Sequence, residues 1–153
     1  MVRSRVQIGI ALLVALAGGC SILGLGGVED DLRDRRGRWE ALGITDYTYD
    51  IVWSCFCGYP AGRPLRVAVR GDTVVSLTEV GTGQPPQDAP PAWLGTIDEV
   101  FAHLLDEARR GADDMDVDFH ADYYFPTRAT IDRIKNAIDD EEELSLSNFL
   151  PRR

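Results

Sequence analysis

From residue 28 onward the spacing of apolar positions switches between a helical and a two-residue period. Leu32, Trp39 and Leu42 recur on one side of a helix expected over 28–42. Glu29 stands four residues before Arg33, Gly37 weakens the helix and Gly43 ends it. Tyr47, Tyr49, Ile51, Trp53 and Cys55 then alternate with Thr48, Asp50, Val52 and Ser54, which predicts a strand with one face in the core. Leu65, Val67 and Val69 predict a second strand, and Val75 and Leu77 anchor a third. Gly71-Asp72 joins these two as a two-residue hairpin, the glycine supplying positive φ. The stretch 81–95 contains Pro85, Pro86, Pro90 and Pro91, which remove backbone donors, so a loose solvated loop is expected there.

The second half repeats this order. Thr96 and Glu99 fit a capping box, and Ile97, Phe101, Leu104, Leu105 and Ala108 form the buried stripe of the helix behind it. Arg109 and Arg110 suit the negative end of its dipole, and Gly111 stops it. His103 lies off the stripe and is expected to be exposed, without special duty. Met115, Val117, Phe119 and Ala121 predict a fourth strand, a turn at Tyr123–Pro126 leads to a fifth near 127–132, and 133–142 reads as a helical turn or loop. Leu144–Phe149 predicts a short sixth strand. The expected architecture is α+β: two αβββ units, without an internal sequence repeat, forming one antiparallel sheet with helices on one face.

Ahead of this domain the pattern changes. Arg3 and Arg5 precede an apolar stretch from Val6 to Ala17, and small residues follow. That is the form of an export signal, and it is shorter than the roughly 20 residues of a spanning helix. Leu16-Ala17-Gly18-Gly19-Cys20 resembles the lipobox of bacterial lipoproteins, with Ala17 in the position three before the cysteine and the leucine one earlier. The resemblance implies a diacylglyceryl group on Cys20, cleavage before it and acylation of the new amine. Ser21 implies outer-membrane sorting in a Gram-negative envelope. The expected organisation is a signal peptide over 1–19, a short tether over 20–27 and the domain over 28–153.

Length and charge bound the rest. A chain of 153 residues suits one domain, and its 44% hydrophobic content excludes wholesale disorder. A formal charge of −9, falling to −11 once residues 1–19 and their two arginines are removed, argues against a nucleic-acid partner. It also gives mild repulsion from an anionic leaflet.

Four landmarks occur in order: Trp39 to Gly43, Asp46-Tyr47-Thr48-Tyr49 running into Cys55-Phe56-Cys57, Thr96 to Phe101, and Tyr123-Tyr124-Phe125-Pro126-Thr127 through Asp132 to Asp139-Asp140-Glu141. Together they resemble a domain-of-unknown-function family of small bacterial lipoproteins over about residues 39–150. The chain departs from that pattern at Tyr124, where a turn glycine is expected, and at Phe119-His120, where a Tyr-Asp pair is usual. The resemblance implies an envelope location and this fold, and supplies no catalytic residue.

Candidate chemistry is sparse. With Cys20 lipidated, Cys55 and Cys57 remain as a pair in an oxidising compartment. Two extended steps put their Cα atoms roughly 6.6 Å apart, near the upper end of the disulfide range. Three readings stay open: a local disulfide, which the compartment favours; a redox pair; and a thiolate site for a soft metal such as Cu(I) or Zn(II). His103 and His120 add no diagnostic metal spacing. Asp114, Asp116 and Asp118 imitate the start of a calcium loop, but Phe119 and Phe125 stand at the positions that need glycine and glutamate. The acidic run Asp139–Glu143 reads as a solvated surface, with cation binding by that run and Asp132 as the alternative. Tyr123, Tyr124 and Phe125 are a candidate contact patch unless they fold back over the sheet edge. No catalytic order, phosphate loop or cofactor motif is evident. The reading is a non-enzymatic, lipid-anchored envelope domain without cofactor or metal, with the membrane and an unidentified envelope protein as partners. Its alternative is thiol-redox or soft-metal handling through Cys55 and Cys57.

Overall fold

The structure is a computed structural model and describes residues 25–56, 62–137 and 139–152. Its elements run α1 (Leu25–Ala41), β1 (Tyr47–Cys55), β2 (Leu65–Arg70), β3 (Thr73–Glu79), α2 (Ile97–Arg110), β4 (Asp114–Phe119), β5 (Pro126–Asp132) and β6 (Glu141–Pro151). The two αβββ units form one six-stranded antiparallel sheet in the order β3-β2-β1-β6-β5-β4, with the helices packed against it. The first unit places its first strand at the centre of the sheet and the second unit its last. The halves therefore share an element order without being copies in space. Among the described residues no helix is long and apolar enough to cross a membrane.

The alternation of β1 decides which face is covered. Tyr47, Tyr49 and Ile51 are buried, as are Val67 and Val69 of β2 and Leu144 and Leu146 of β6. α2 covers them with Ile97, Val100, Phe101, Leu104, Leu105 and Ala108. Its start is built as expected. The Thr96 hydroxyl accepts from the Glu99 amide, and the Glu99 carboxylate accepts from the Thr96 amide at 2.6 Å. A Cβ at Gly95 would lie 2.2 Å from the Glu99 carboxylate, so a larger residue there would push that side chain off the capping box. Thr96→Ala is expected to lower unfolding free energy by about 1 kcal/mol, read from urea denaturation. Gly111 closes the helix at φ 81°.

α1 begins three residues earlier than expected, so helix replaces the end of the tether. It is mostly polar, held by i,i+4 ion pairs such as Arg36–Glu40 at 2.8 Å and Arg38–Asp34 at 2.9 Å. Leu32 and Trp39 seat it on the sheet, and Arg109 of α2 reaches Glu29 at 2.9 Å. Leu42 is not on that face: it lies past the helix end and is 41% exposed.

Two bulges correct the strand pattern. In β3 the register passes from Ala68↔Ser76 to Val69↔Val74, so Val75 is extra and turns outward, 59% exposed. Val74 and Leu77 pack on the core instead. The hairpin between β2 and β3 has positive φ at both Gly71 and Asp72. The second bulge lies between β1 and β6, with Asn148 at φ 52°. It returns Phe149 to the covered face and sends the Asn148 amide to Asp50 at 2.8 Å.

Asp50 stands on the uncovered face and is 4% exposed. Arg66, directly opposite, grips it through two hydrogen bonds of 2.7 and 2.8 Å. Those bonds hold its carboxyl below the ordinary carboxylate value despite burial. The stabilisation is complete above that ordinary value and is lost as pH falls through the lower folded value. Asp50→Asn is expected to cost about 1–2 kcal/mol at neutral pH. The cost shrinks below pH ~4, and urea melts at the two pH values measure it.

Candidate functional site

The loop before α2 is loose only in part. Its last residues dock. The Tyr49 hydroxyl donates to the Gly95 carbonyl at 2.6 Å, and Leu94 is buried. Trp93 lies flat on His103 of α2, ring centroids 4.0 Å apart and planes 4° apart. Trp53 of β1 meets Trp93 edge-on at 5.5 Å. These rings wall a cleft of about 740 Å³ beside α2.

The floor of the cleft is charged. His103 and Glu107 are four residues apart, on one flank of α2. Arg133, just past β5, donates to Glu107 Oε2 at 2.8 Å and to Glu142 Oε2 at 2.5 Å. His103 Nε2 lies 2.7 Å from Glu142 Oε1, and Arg110 reaches Glu107 Oε1 at 3.5 Å. Both glutamates are about 5% exposed. Burial pushes the Glu142 carboxyl up, but the hydrogen bonds from His103 and Arg133 outweigh it and hold the group below its ordinary value. Arg133 is correspondingly held protonated, chiefly by its bond to Glu107. Each of the four carboxylate oxygens has a partner, so none takes up a substrate proton without an ion pair breaking. The arrangement is a rigid aromatic and ionic wall, suited to contact.

His103 is thus not the exposed, dutiless residue expected, since its side chain is 10% exposed. Glu142 is not on a solvated surface either. β6 starts at Glu141, so strand alternation turns Glu142 toward α2 and leaves Glu141 and Glu143 exposed. The sixth strand is consequently eleven residues long and central. Arg133, Glu107 and Trp93 were not singled out from the sequence. One local signal existed: Glu107 lies within the buried sector of α2, where a carboxylate needs a cation.

The other expected residues are dispersed. Cys20 and Cys57 lie outside the described residues. Cys55 is half-buried at the end of β1. It borders a second hollow of about 540 Å³ on the uncovered face, with Asp114, Asp132, Asp139 and Glu141. Desolvation, with Asp140, Glu141 and Asp113 nearby, raises the Asp132 carboxyl above its ordinary value. Among the described residues no three His, Cys, Asp or Glu side chains are placed to hold a metal ion.

In the candidate aromatic patch, Phe125 is 1% exposed and packs on Phe149 at 4.8 Å, so it has folded back and offers no contact surface. Tyr123 is half-buried against Phe149 at 4.9 Å, and Tyr124 lies under Arg38 at φ 64°, in the conformation for which glycine was expected. His120 meets the acceptor role of an aspartate at this turn. Its Nδ1 accepts from the amides of Asp122 and Tyr123 at 3.2 and 3.3 Å.

A family model described as a family of unknown function (DUF6174) matches residues 31–151. The chain belongs to this family. The DUF6174 match runs from inside α1 to the last residue of β6 and takes in every strand, the Trp93–His103 stack and the Arg133 network. Neither the curated proteins nor the solved structures yield a significant match to this DUF6174 chain.

Proposed function

We propose that this DUF6174 chain is a bacterial envelope lipoprotein, anchored through acylated Cys20, whose domain binds another extracytoplasmic component without catalysing a reaction. The observation that carries the binding role is the cleft beside α2. Its wall is aromatic, its ionic floor is fully partnered, and it is large enough for a side-chain cluster of a partner. The anchor is supported by the sequence around Cys20 and by the position of α1, which begins five residues later. Multiple acyl chains on one cysteine would hold the domain firmly at a membrane. In this reading Cys55 and Cys57 form a local disulfide that rigidifies the end of β1, and the protein needs no cofactor.

Intact mass analysis of the full chain from its native membrane tests the anchor and the bond together. The expected species starts at an acylated Cys20 and is two hydrogens lighter than the dithiol. Recovery of the unprocessed chain from cytosol would overturn the reading. For the cleft, a photo-crosslinker in place of exposed Ala92 is expected to capture one discrete envelope component, and Trp93→Ala to abolish that capture. Turnover of a substrate that disappears on a single side-chain substitution would show that the domain is an enzyme instead.

A further inference from the structure

The two ends of the domain differ in a way that bears on how it meets a membrane. Trp39, near the end of α1, touches Tyr47 at the start of β1 and Phe149 near the end of β6. Glu29, near the start of α1, pairs with Arg109 at the end of α2. α2 leads into β4, where Asp114 lies opposite Asp132, which lies opposite Glu141; the next residue, Glu142, lies opposite Cys55. The start of α1 therefore shares one end of the sheet with the ends of β1 and β5 and the starts of β4 and β6.

That same end exposes two large apolar side chains. Phe56 follows β1 and is 77% exposed; Ile134 follows β5 and is 61% exposed. β1 and β5 flank β6, so both residues stand at this end of the sheet, with one strand between theirs. Neither contributes to the core, and both lie where a water-facing loop ordinarily carries polar residues.

We infer that this end of the domain faces the bilayer and that Phe56 and Ile134 enter its interfacial layer. The inference rests on the anchor proposed above, and the reach of the chain carries it. Four residues separate Cys20 from Leu25, and the five Cα steps between the two span at most about 18 Å when extended. α1 alone is 17 residues, about 26 Å long. The tether is shorter than the body, so the opposite end, with Leu42 and Leu150, cannot turn down to the surface. The surrounding charge selects the lipid. Asp113, Asp114, Asp132, Asp139, Asp140 and Glu141 outnumber Arg109, Arg110, Arg133 and Lys135 here, which favours zwitterionic over anionic headgroups.

The test uses the acylated full chain in zwitterionic phosphatidylcholine vesicles, with p-benzoylphenylalanine replacing Phe56, Ile134 or Leu150 in turn. All three sites are exposed, so the replacements leave the core intact. After irradiation, intact mass is expected to show lipid adducts at 56 and 134 several-fold above those at 150, and fewer when anionic lipid is added. An acylated chain with no excess at 56 and 134 would overturn this orientation and leave the anchor standing. A chain whose mass shows no acyl group on Cys20 would overturn the anchor, and the orientation with it.

Discussion

Arg133→Met lowers the unfolding free energy by about 3 kcal/mol at neutral pH, the largest expected effect of any single charge removal in the domain. The guanidinium is the only side chain that binds both Glu107 and Glu142 among the described residues, and both carboxylates are nearly inaccessible to water. Removing it leaves Glu142 with His103 alone and Glu107 with only the long contact from exposed Arg110, two like charges in a site nearly closed to solvent. The pH dependence fixes the sign. Glu142 is held below its ordinary value of 4.5, so its ionisation stabilises the fold above that value and ceases to do so as pH falls through the folded value. The variant keeps the His103 bond and lacks only the Arg133 part of that stabilisation, so its deficit against the parent narrows below pH ~4. Adding Glu142→Gln to Arg133→Met is expected to recover part of the loss. Urea denaturation of the parent, the two single variants Arg133→Met and Glu142→Gln, and the double variant at two pH values measures the coupling, and a deficit that stays constant with pH would contradict it.

Trp39→Ala has an effect of similar size by a different route. The indole meets Tyr47, Phe125 and Phe149 edge-on at 5.5–6.0 Å and sets its Nε1 3.5 Å from Asp98. With Leu32 it provides nearly all the apolar seating of α1, whose other residues are mainly paired charges. The expected cost is about 3–5 kcal/mol. Hydrogen exchange is expected to show α1 opening before the sheet, because surface ion pairs alone cannot hold a helix of this length. Leu42→Ala, three residues away and outside the core, is the control and should change stability by less than about 0.5 kcal/mol.

What was legible in the sequence was local. β1 carries nine residues of uninterrupted alternation, and its bounds are those expected. α2 is bracketed by a capping box and a left-handed glycine, both chemically specific, so it too was readable from end to end. Element order and fold class follow from such signals. The misses have another origin. The outward turn of Val75 and the kink at Asn148 depend on pairing between strands, which alternation along one strand does not encode. β6 looked short because it opens on three glutamates, and only Arg133 and His103, brought from elsewhere, make one of them a buried residue. The cleft shares this character: Trp53, the Trp93–His103 pair and Arg133 come from distant parts of the chain and meet only once the sheet is assembled.

The central pairing of the sheet joins its first strand to its last. Tyr47 waits for Pro151, roughly a hundred residues on, before its row of backbone groups is complete. A growing chain thus cannot lock its middle until the final segment has emerged, and a stop codon between β5 and β6 would leave two open half-sheets, β3-β2-β1 and β5-β4, instead of a smaller version of the protein. On the export proposed above, such late closure would keep the chain in a threadable form until passage is nearly over.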